Sequence, residues 1–271
     1  MPVSYLITGA SRGIGAGFLK QLSRDPNNLI IGLVRDKVAT DKKVAQELGD
    51  LPNVHIVQGD ITNYEELELA VKEVSRITEG TLDYIIANAG VAGRTGNLPI
   101  NILAEKREDL EKDFFYTFNT NVIGNANVIN LFLPFVLKGK TKKVIAISSA
   151  HGDLDLIRDL GIEVSAPYAV SKAALNCLIT MYDAHYRPEG VLFLAICPGF
   201  VDTGVLDNVS EEEKPYVEKL VASFSKHSPN PKKQSPEEAV NNVMSVVQKA
   251  SIDNGDGGMF LSHLGSRTQW L

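Results

Sequence analysis

The stretch Val3-Ser4-Tyr5-Leu6-Ile7-Thr8-Gly9-Ala10-Ser11-Arg12-Gly13-Ile14-Gly15 decides how the remaining chain is read. Val3–Thr8 is a short apolar run with β-branched residues, three glycines follow in the spacing Gly-x-x-x-Gly-x-Gly, and residues 16–23 look helical. A strand that passes through a glycine turn into a helix lets backbone approach a pyrophosphate, while the helix N-terminus holds its charge. Gly9, Gly13 and Gly15 therefore predict a dinucleotide cradle.

Outward from that turn, residues 29–34 read as a second strand ending at Arg35. A carboxylate at this strand tip takes ribose hydroxyls in dinucleotide folds, whereas an arginine accommodates a 2′-phosphate. Val34 and Arg35 supply no carboxylate, and Arg12 in the glycine turn adds a second cation, which favours NADP(H). Asp36, one residue farther on, is the counter-argument. Residues 41–48 then read as helix, Val54–Gln58 as strand ending in Gly59-Asp60-Ile61, 64–77 as helix, and 82–87 as strand running into Asn88-Ala89-Gly90. Strands alternating with helices imply a parallel sheet covered on both faces, with ligand residues at the C-terminal strand ends, where Asp60, Asn88 and Gly90 fall.

Residues 91–109 read as loop and 110–137 as one long helix, with Asn121 polar inside an apolar stretch and so in need of partners. The next strand, Lys143–Ile147, delivers Ser148-Ser149-Ala150-His151-Gly152 to the same sheet edge. Nineteen positions separate Ser149 from Tyr168, and the charged segment between them is expected to fold partly over the site. The helix 168–186 opens with Tyr168 and Lys172, four residues apart and so on one face. A fixed cation ~4–5 Å from a phenol favours phenolate by roughly 2–3 pK units, enough for proton exchange with a carbonyl or alcohol near neutrality. Strand 192–196 closes this part of the chain and ends in Cys197-Pro198-Gly199-Phe200-Val201-Asp202-Thr203.

A chain of 271 residues with 44% hydrophobic and 22% charged content suits one α/β domain with a large core. A net charge of −6 argues against nucleic acid or an anionic membrane as main partner, since both call for a basic patch. No apolar run reaches the ~18 residues of a spanning helix, and the N-terminus does not read as a signal peptide, so a cytoplasmic protein is expected. Cys177 and Cys197 lie in apolar stretches and are expected to be buried and unpaired, and the scattered histidines form no metal-ligand spacing.

Taken together, Thr8 to Gly15, Asn88-Ala89-Gly90, Asn121, Ser148-Ser149, Tyr168-x-x-x-Lys172 and Pro198-Gly199 resemble the ordered motif set of the short-chain dehydrogenase/reductase family over residues 3–203. The resemblance implies an α/β single-domain Rossmann fold across residues 1–271, doubly wound, with a seven-stranded parallel sheet and helices on both faces. It implies a catalytic tetrad of Asn121, Ser149, Tyr168 and Lys172. Tyr168 would be the proton donor, Lys172 a depressor of its pKa and a ligand of the nicotinamide ribose, and Ser149 the hydrogen-bond partner of the substrate oxygen. Asn121 would hold a water linking Lys172 to solvent. Cofactor contacts are implied for Gly9, Ser11, Arg12, Gly13, Ile14, Gly15, Arg35, Asp60, Ile61, Asn88, Ala89, Gly90, Pro198, Gly199, Val201 and Thr203, besides Tyr168 and Lys172. Two departures stand out: Ala87 replaces the first residue of the usual Asn-Asn-Ala-Gly, and the Ser149 to Tyr168 interval is long, as in small carbonyl reductases similar to sniffer and in fungal polyketide ketoreductases. The expected activity is NADPH-dependent reduction of a ketone or aldehyde. Alcohol oxidation and a non-catalytic cofactor sensor are the alternatives.

Past Thr203, Val217, Leu220, Val221 and Phe224 recur at helical spacing, so residues 210–224 read as an amphipathic helix capped by Ser210. Residues 200–235 are expected to form a substrate lid, with a Pro/Lys loop at 227–233, a helix starting at Ser235, and a last strand at 258–263. The apolar faces of 110–137 and 168–186 exceed what one sheet face needs, and in similar proteins these helices pair, so a homodimer or homotetramer is expected.

Overall fold

Six of the strands make up the body of the sheet and most of their residues are buried, which a sheet achieves only when helices cover both of its faces. They are β1 (Val3–Thr8), β2 (Asn28–Val34), β3 (Val54–Gln58), β4 (Tyr84–Ala87), β5 (Lys143–Ile147) and β6 (Leu192–Cys197), with the short β7 (Phe260–Ser262) at one edge. The computed structural model describes residues 2–204, 209–227 and 233–270. Its sheet runs β3-β2-β1-β4-β5-β6-β7, every pair parallel. The expected seven-stranded, doubly wound Rossmann sheet is thus the fold.

Alternate side chains of each strand feed two cores. On one face Leu6, Ile31 and Phe193 pack with α3 (Tyr64–Thr78), with Val128 and Phe132 of the long helical rod described below, and with Leu175 farther along the chain. On the other, Tyr5, Ile7 and Ile30 pack with Phe18 and Leu19 of α1 (Gly13–Leu22) and with Val240 and Val243 near the C-terminus.

Several boundaries differ from expectation for local reasons. The helix expected at 41–48 is α2 (Lys37–Leu48), because the Asp36 carboxylate caps it by accepting from the Ala39 amide at 2.9 Å. Within the expected loop 91–109 lie α4 (Ile100–Glu105) and the start of α5 (Arg107–Phe118). The rod expected at 110–137 is α5, a π-helical turn at Asn119–Gly124, and α6 (Asn125–Val136). The π-turn falls on Asn121, whose side chain is drawn to the Val91 main chain, and such wide turns favour functional sites.

The chain continues through α7 (Leu154–Leu160), α8 (Ala166–Tyr186), α9 (Lys214–His227) and α10 (Pro236–Lys249). The helix expected from Ser210 begins at Lys214: Pro215 is harmless in a first turn, but in a helix begun at Ser210 its missing N–H would break the interior ladder. Ser235 and Glu238 form a capping box at the start of α10, as the sequence suggested. The loop expected at 227–233 lies mostly outside the described residues. Cys197 is buried but Cys177 is exposed, on the outer side of α8, contrary to the expectation of two buried thiols. Near the C-terminus Trp270 stacks on Phe260 at 4.5 Å and joins Leu156 and Cys197 in a small separate core.

Candidate active site

Four adjacent strands, β1, β4, β5 and β6, end on one edge and deliver Gly9, Asn88 to Gly90, Ser148-Ser149 and Pro198-Gly199 to a common cleft. The glycine turn is tightly seated there. A Cβ at Gly15 would lie 2.2 Å from the Gly9 carbonyl oxygen and 2.6 Å from the Asn88 amide nitrogen, so only glycine lets α1 approach this closely. Arg12 precedes α1 without giving it a side-chain cap, which leaves first-turn amides and the positive end of the helix for an anion. This cradle fits a pyrophosphate, and Thr203 closes it, its Cγ2 3.6 Å from where a Gly13 Cβ would stand.

Thr8 is a brace that no local sequence signal marks. Its hydroxyl accepts from the amides of Asn88 (3.0 Å) and Ala89 (2.9 Å), while Asn88 Nδ2 donates to the Thr8 carbonyl at 2.9 Å. Asn88 thus ties β4 to β1 from inside the cradle. Asn125, also unforeseen, donates to the carbonyls of Ala89 (3.1 Å) and Asn121 (2.9 Å).

Asn121 is fully buried and satisfied. Its Oδ1 accepts from the Val91 amide at 2.8 Å, and its Nδ2 donates to the Val91 carbonyl and to Ser171 Oγ, both at 2.9 Å. Gly90 makes this packing possible, since a Cβ there would meet Asn121 Oδ1 at 3.0 Å and Lys172 Nζ at 3.5 Å.

Tyr168 and Lys172 stand on the first turns of α8, and Ser149 lies near enough to the phenol to pull its pKa down. The expected depression of the phenol by the ammonium is not what the geometry gives. Lys172 Nζ donates to the Ile147 carbonyl at 2.8 Å and lies 5.7 Å from the phenol ring centroid. Desolvation then dominates: it pushes Tyr168 up to about 12, against a downward pull from Ser149, and brings Lys172 down to about 8. Cys197 Sγ accepts from the amides of Ala150 (3.2 Å) and Gly199 (3.4 Å), linking the serine turn to the Pro198-Gly199 turn. Burial raises its thiol pKa, so it is a strut and not a nucleophile.

On the adenosine side of the cradle, Arg12 and Arg35 are exposed, and Asp36 is occupied with capping α2. Lys43, a cation no local signal marked, reaches from α2 to the Ser11 carbonyl at 3.0 Å. Asp60 accepts from the amide and hydroxyl of Thr62, and Ile61 packs into the core against Gly124, so Ile61 offers only backbone to the cleft. Val201 pairs with Gln234, and Asp202 with Lys233, which fastens the segment after β6 to the start of α10.

Above the cleft, α9 leans on the segment between Ser149 and Tyr168 through Leu220, Phe224 and Val164. Glu213, just before α9, accepts from the amides of Asn97 (2.7 Å) and Ser210 (3.0 Å) and from Ser210 Oγ (2.6 Å). Burial alone would raise its pKa, but these bonds hold it below the usual carboxylate range. Asn97 in turn meets the hydroxyl of Ser165, the residue that opens α8. Among the described residues no cluster of His, Cys, Asp and Glu is arranged to hold a metal, and no helix is long and apolar enough to cross a membrane.

Comparison with known proteins bears on this arrangement. A family model described as short chain dehydrogenase matches residues 4–214. The chain is 46% identical to short chain dehydrogenase virK of Hypocrea virens over 99% of both chains. It is equally 46% identical to short-chain dehydrogenase/reductase iacC of Pestalotiopsis fici, over 98% of this chain and 99% of that one. Among solved structures, the NADPH-bound carbonyl reductase from chicken fatty liver superposes over 100% of both chains with a TM-score of 0.79 and 26% identity. The carbonyl reductase Sniffer of D. melanogaster shares the fold over 100% of both chains, with a TM-score of 0.76 at 20% identity.

Proposed function

Since the chain belongs to the short-chain dehydrogenase family of oxidoreductases, we propose that it reduces a ketone or aldehyde with NADPH, Tyr168 donating the proton. The observation that carries this reading is the Tyr168 phenol next to Ser149 and beside a buried Lys172, at the same sheet edge as the glycine cradle. NADPH, when bound, supplies the hydride. Gly9, Ser11, Gly13, Ile14 and Gly15 would hold its pyrophosphate, Arg12 and Arg35 its 2′-phosphate, and Asn88 to Gly90, Pro198, Gly199, Val201 and Thr203 its remaining length. The hydroxyls of Ser149 and Tyr168 orient the substrate oxygen, and Tyr168 protonates it as alkoxide character develops. Lys172, still mostly protonated at neutral pH, steadies the phenolate left behind, and Asn121 fixes the Val91 and Ser171 walls around it.

Burial that keeps the phenol protonated suits an acid better than a base, which favours reduction over alcohol oxidation. The chicken enzyme's bound NADPH supports the cofactor assignment. Residues 200–235 act as substrate lid in this reading, the chain works in the cytoplasm, and a second copy covers the exposed Phe115, Phe118 and Ile123 of the long rod and Met181 of α8. The test is NADPH oxidation by the purified protein across a panel of ketones and aldehydes. Turnover of some member is expected, and inertness of the cofactor-bound protein toward the whole panel would favour the sensor.

A further inference from the structure

The turn after Ser149 brings into the site a histidine that none of the steps above employs. Ala150–Gly152 forms one 3-10 turn, and its His151 amide donates to Ser149 Oγ at 3.3 Å. The turn is held firmly on α8, because a Cβ at Gly152 would lie 2.9 Å from the Ala173 nitrogen. From this position the His151 ring meets the Tyr168 ring edge to face, with centroids 6.0 Å apart and planes at 61°. The imidazole is partly accessible, and among the described residues neither of its nitrogens has a hydrogen-bond partner. Protein crowds the rest of the ring, and the desolvation brings its pKa down to about 4, so at neutral pH it offers one donor and one acceptor.

The imidazole nitrogens are not among the buried polar atoms left without a partner, so water can meet them in the free protein, and a substrate seated on the phenol would displace that water. We infer that His151 is a specificity-determining residue that hydrogen-bonds a second oxygen of the substrate, and that the preferred substrates are β-oxygenated ketones. The inference rests on the carbonyl-reducing reading above. With the ring centroids 6.0 Å apart, a substrate whose carbonyl meets Tyr168 and Ser149 extends within reach of the imidazole, and an oxygen on its β-carbon is the group assigned to it. A plain ketone in the same pose strips water from the imidazole and gives nothing in return.

The experiment compares acetylacetone with pentan-2-one, which lacks the second oxygen. The ratio of their kcat/KM values is expected to fall about tenfold in His151→Leu, the worth of one buried neutral hydrogen bond. His151→Gln, whose amide keeps a donor and an acceptor, is expected to restore most of it. In parallel, the His151 ring-carbon NMR signal of the NADP-loaded protein is expected to move on adding acetylacetone and to stay in place with pentan-2-one, whether or not either is turned over. An unchanged ratio in His151→Leu, or a signal that ignores acetylacetone, overturns the inference. Loss of the reductase reading would look different: neither ketone, nor any other of the wider panel, would be reduced by the wild-type protein.

Discussion

Lys172 Nζ donates to the carbonyl oxygen of Ile147 at 2.8 Å, the last residue of β5, and so hangs beneath the phenol of Tyr168 instead of bonding to it. The ammonium is thereby anchored to the strand that presents Ser149, which ties the start of α8 to the end of β5. The pair is therefore an acid with a remote cation, not a shared-proton pair.

Tyr168→Phe removes only the phenol hydroxyl with its transferable proton. It should leave NADPH affinity nearly unchanged and lower kcat by about two to four orders of magnitude. Lys172→Ala should damage both binding and turnover. Cofactor titration beside steady-state kinetics separates the two, and near-normal turnover by Tyr168→Phe would sink the assignment.

The pH dependence follows from burial. Lys172, brought down to about 8, loses its charge as pH rises through that value while Tyr168 at about 12 stays protonated, so kcat for reduction should decline above pH 8. Stability responds in the opposite sense at first. From about pH 8 to the ordinary lysine value of ~10.4 the unfolded chain binds more protons at this position, so the Lys172 contribution to stability grows with pH. Beyond ~10 the folded state retains the Tyr168 proton that the unfolded state gives up, and stability from that group falls away. Chemical denaturation at several pH values, compared with Lys172→Met and Tyr168→Phe, checks both signs.

Cofactor preference is set at the adenosine end. With Asp36 capping α2, wild type should prefer NADPH over NADH by at least tenfold. Replacing both Arg12 and Arg35 by Ala should cost about two to four orders of magnitude in NADPH affinity and little in NADH affinity, each charge-assisted contact being worth roughly 1.5–3 kcal/mol. Val34→Asp with Arg35→Ala should reverse the order. Tighter NADH binding by the unmodified protein, titrated at fixed ionic strength, would contradict the arginine reading.

Glu213 is the latch between α9 and the 91–99 segment. Glu213→Ala leaves the Asn97 and Ser210 amides without their acceptor and should cost about 1–3 kcal/mol in unfolding free energy, with a raised KM and a smaller change in kcat. Glu213→Gln, which still accepts through one oxygen, should lie between. Hydrogen exchange across residues 94–98 and 210–224 reads the loosening directly, and unchanged exchange in Glu213→Ala would dismiss the latch.

Light scattering at micromolar concentration should report a dimer or tetramer. Charged substitutions at Phe115 and Met181, both mostly exposed, should shift it toward a single chain, and a wild-type protein already at single-chain mass would refute the expected pairing.

Much of this was legible because its signals are local. Strand ends are marked by β-branched runs meeting Gly, Ser or Asn, and Tyr168 and Lys172 share one turn, so the sheet and the core of the site could be drawn from the chain alone. What stayed hidden are partnerships across long separations. Thr8 with Asn88, Asn97 with Glu213 and Lys43 with Ser11 carry no periodicity, and each becomes a brace only once the sheet has set the neighbours. The π-turn at Asn121 was invisible for a similar reason: apolar spacing is continuous through it, and only the pull of Val91 widens the helix. The phenol pKa went the other way from expectation because sequence spacing gives the distance between two side chains but not the carbonyl that one of them turns toward.

Trp270 is the only tryptophan of the chain, and it is buried against Phe260, Leu156 and Cys197. Leu156 belongs to the segment between Ser149 and Tyr168, and Cys197 carries the amide of Ala150 on its sulfur. The indole is thus a native optical gauge wired to the floor of the catalytic turn. Its emission wavelength and its quenching by the neighbouring thiol read the seating of that segment without any label.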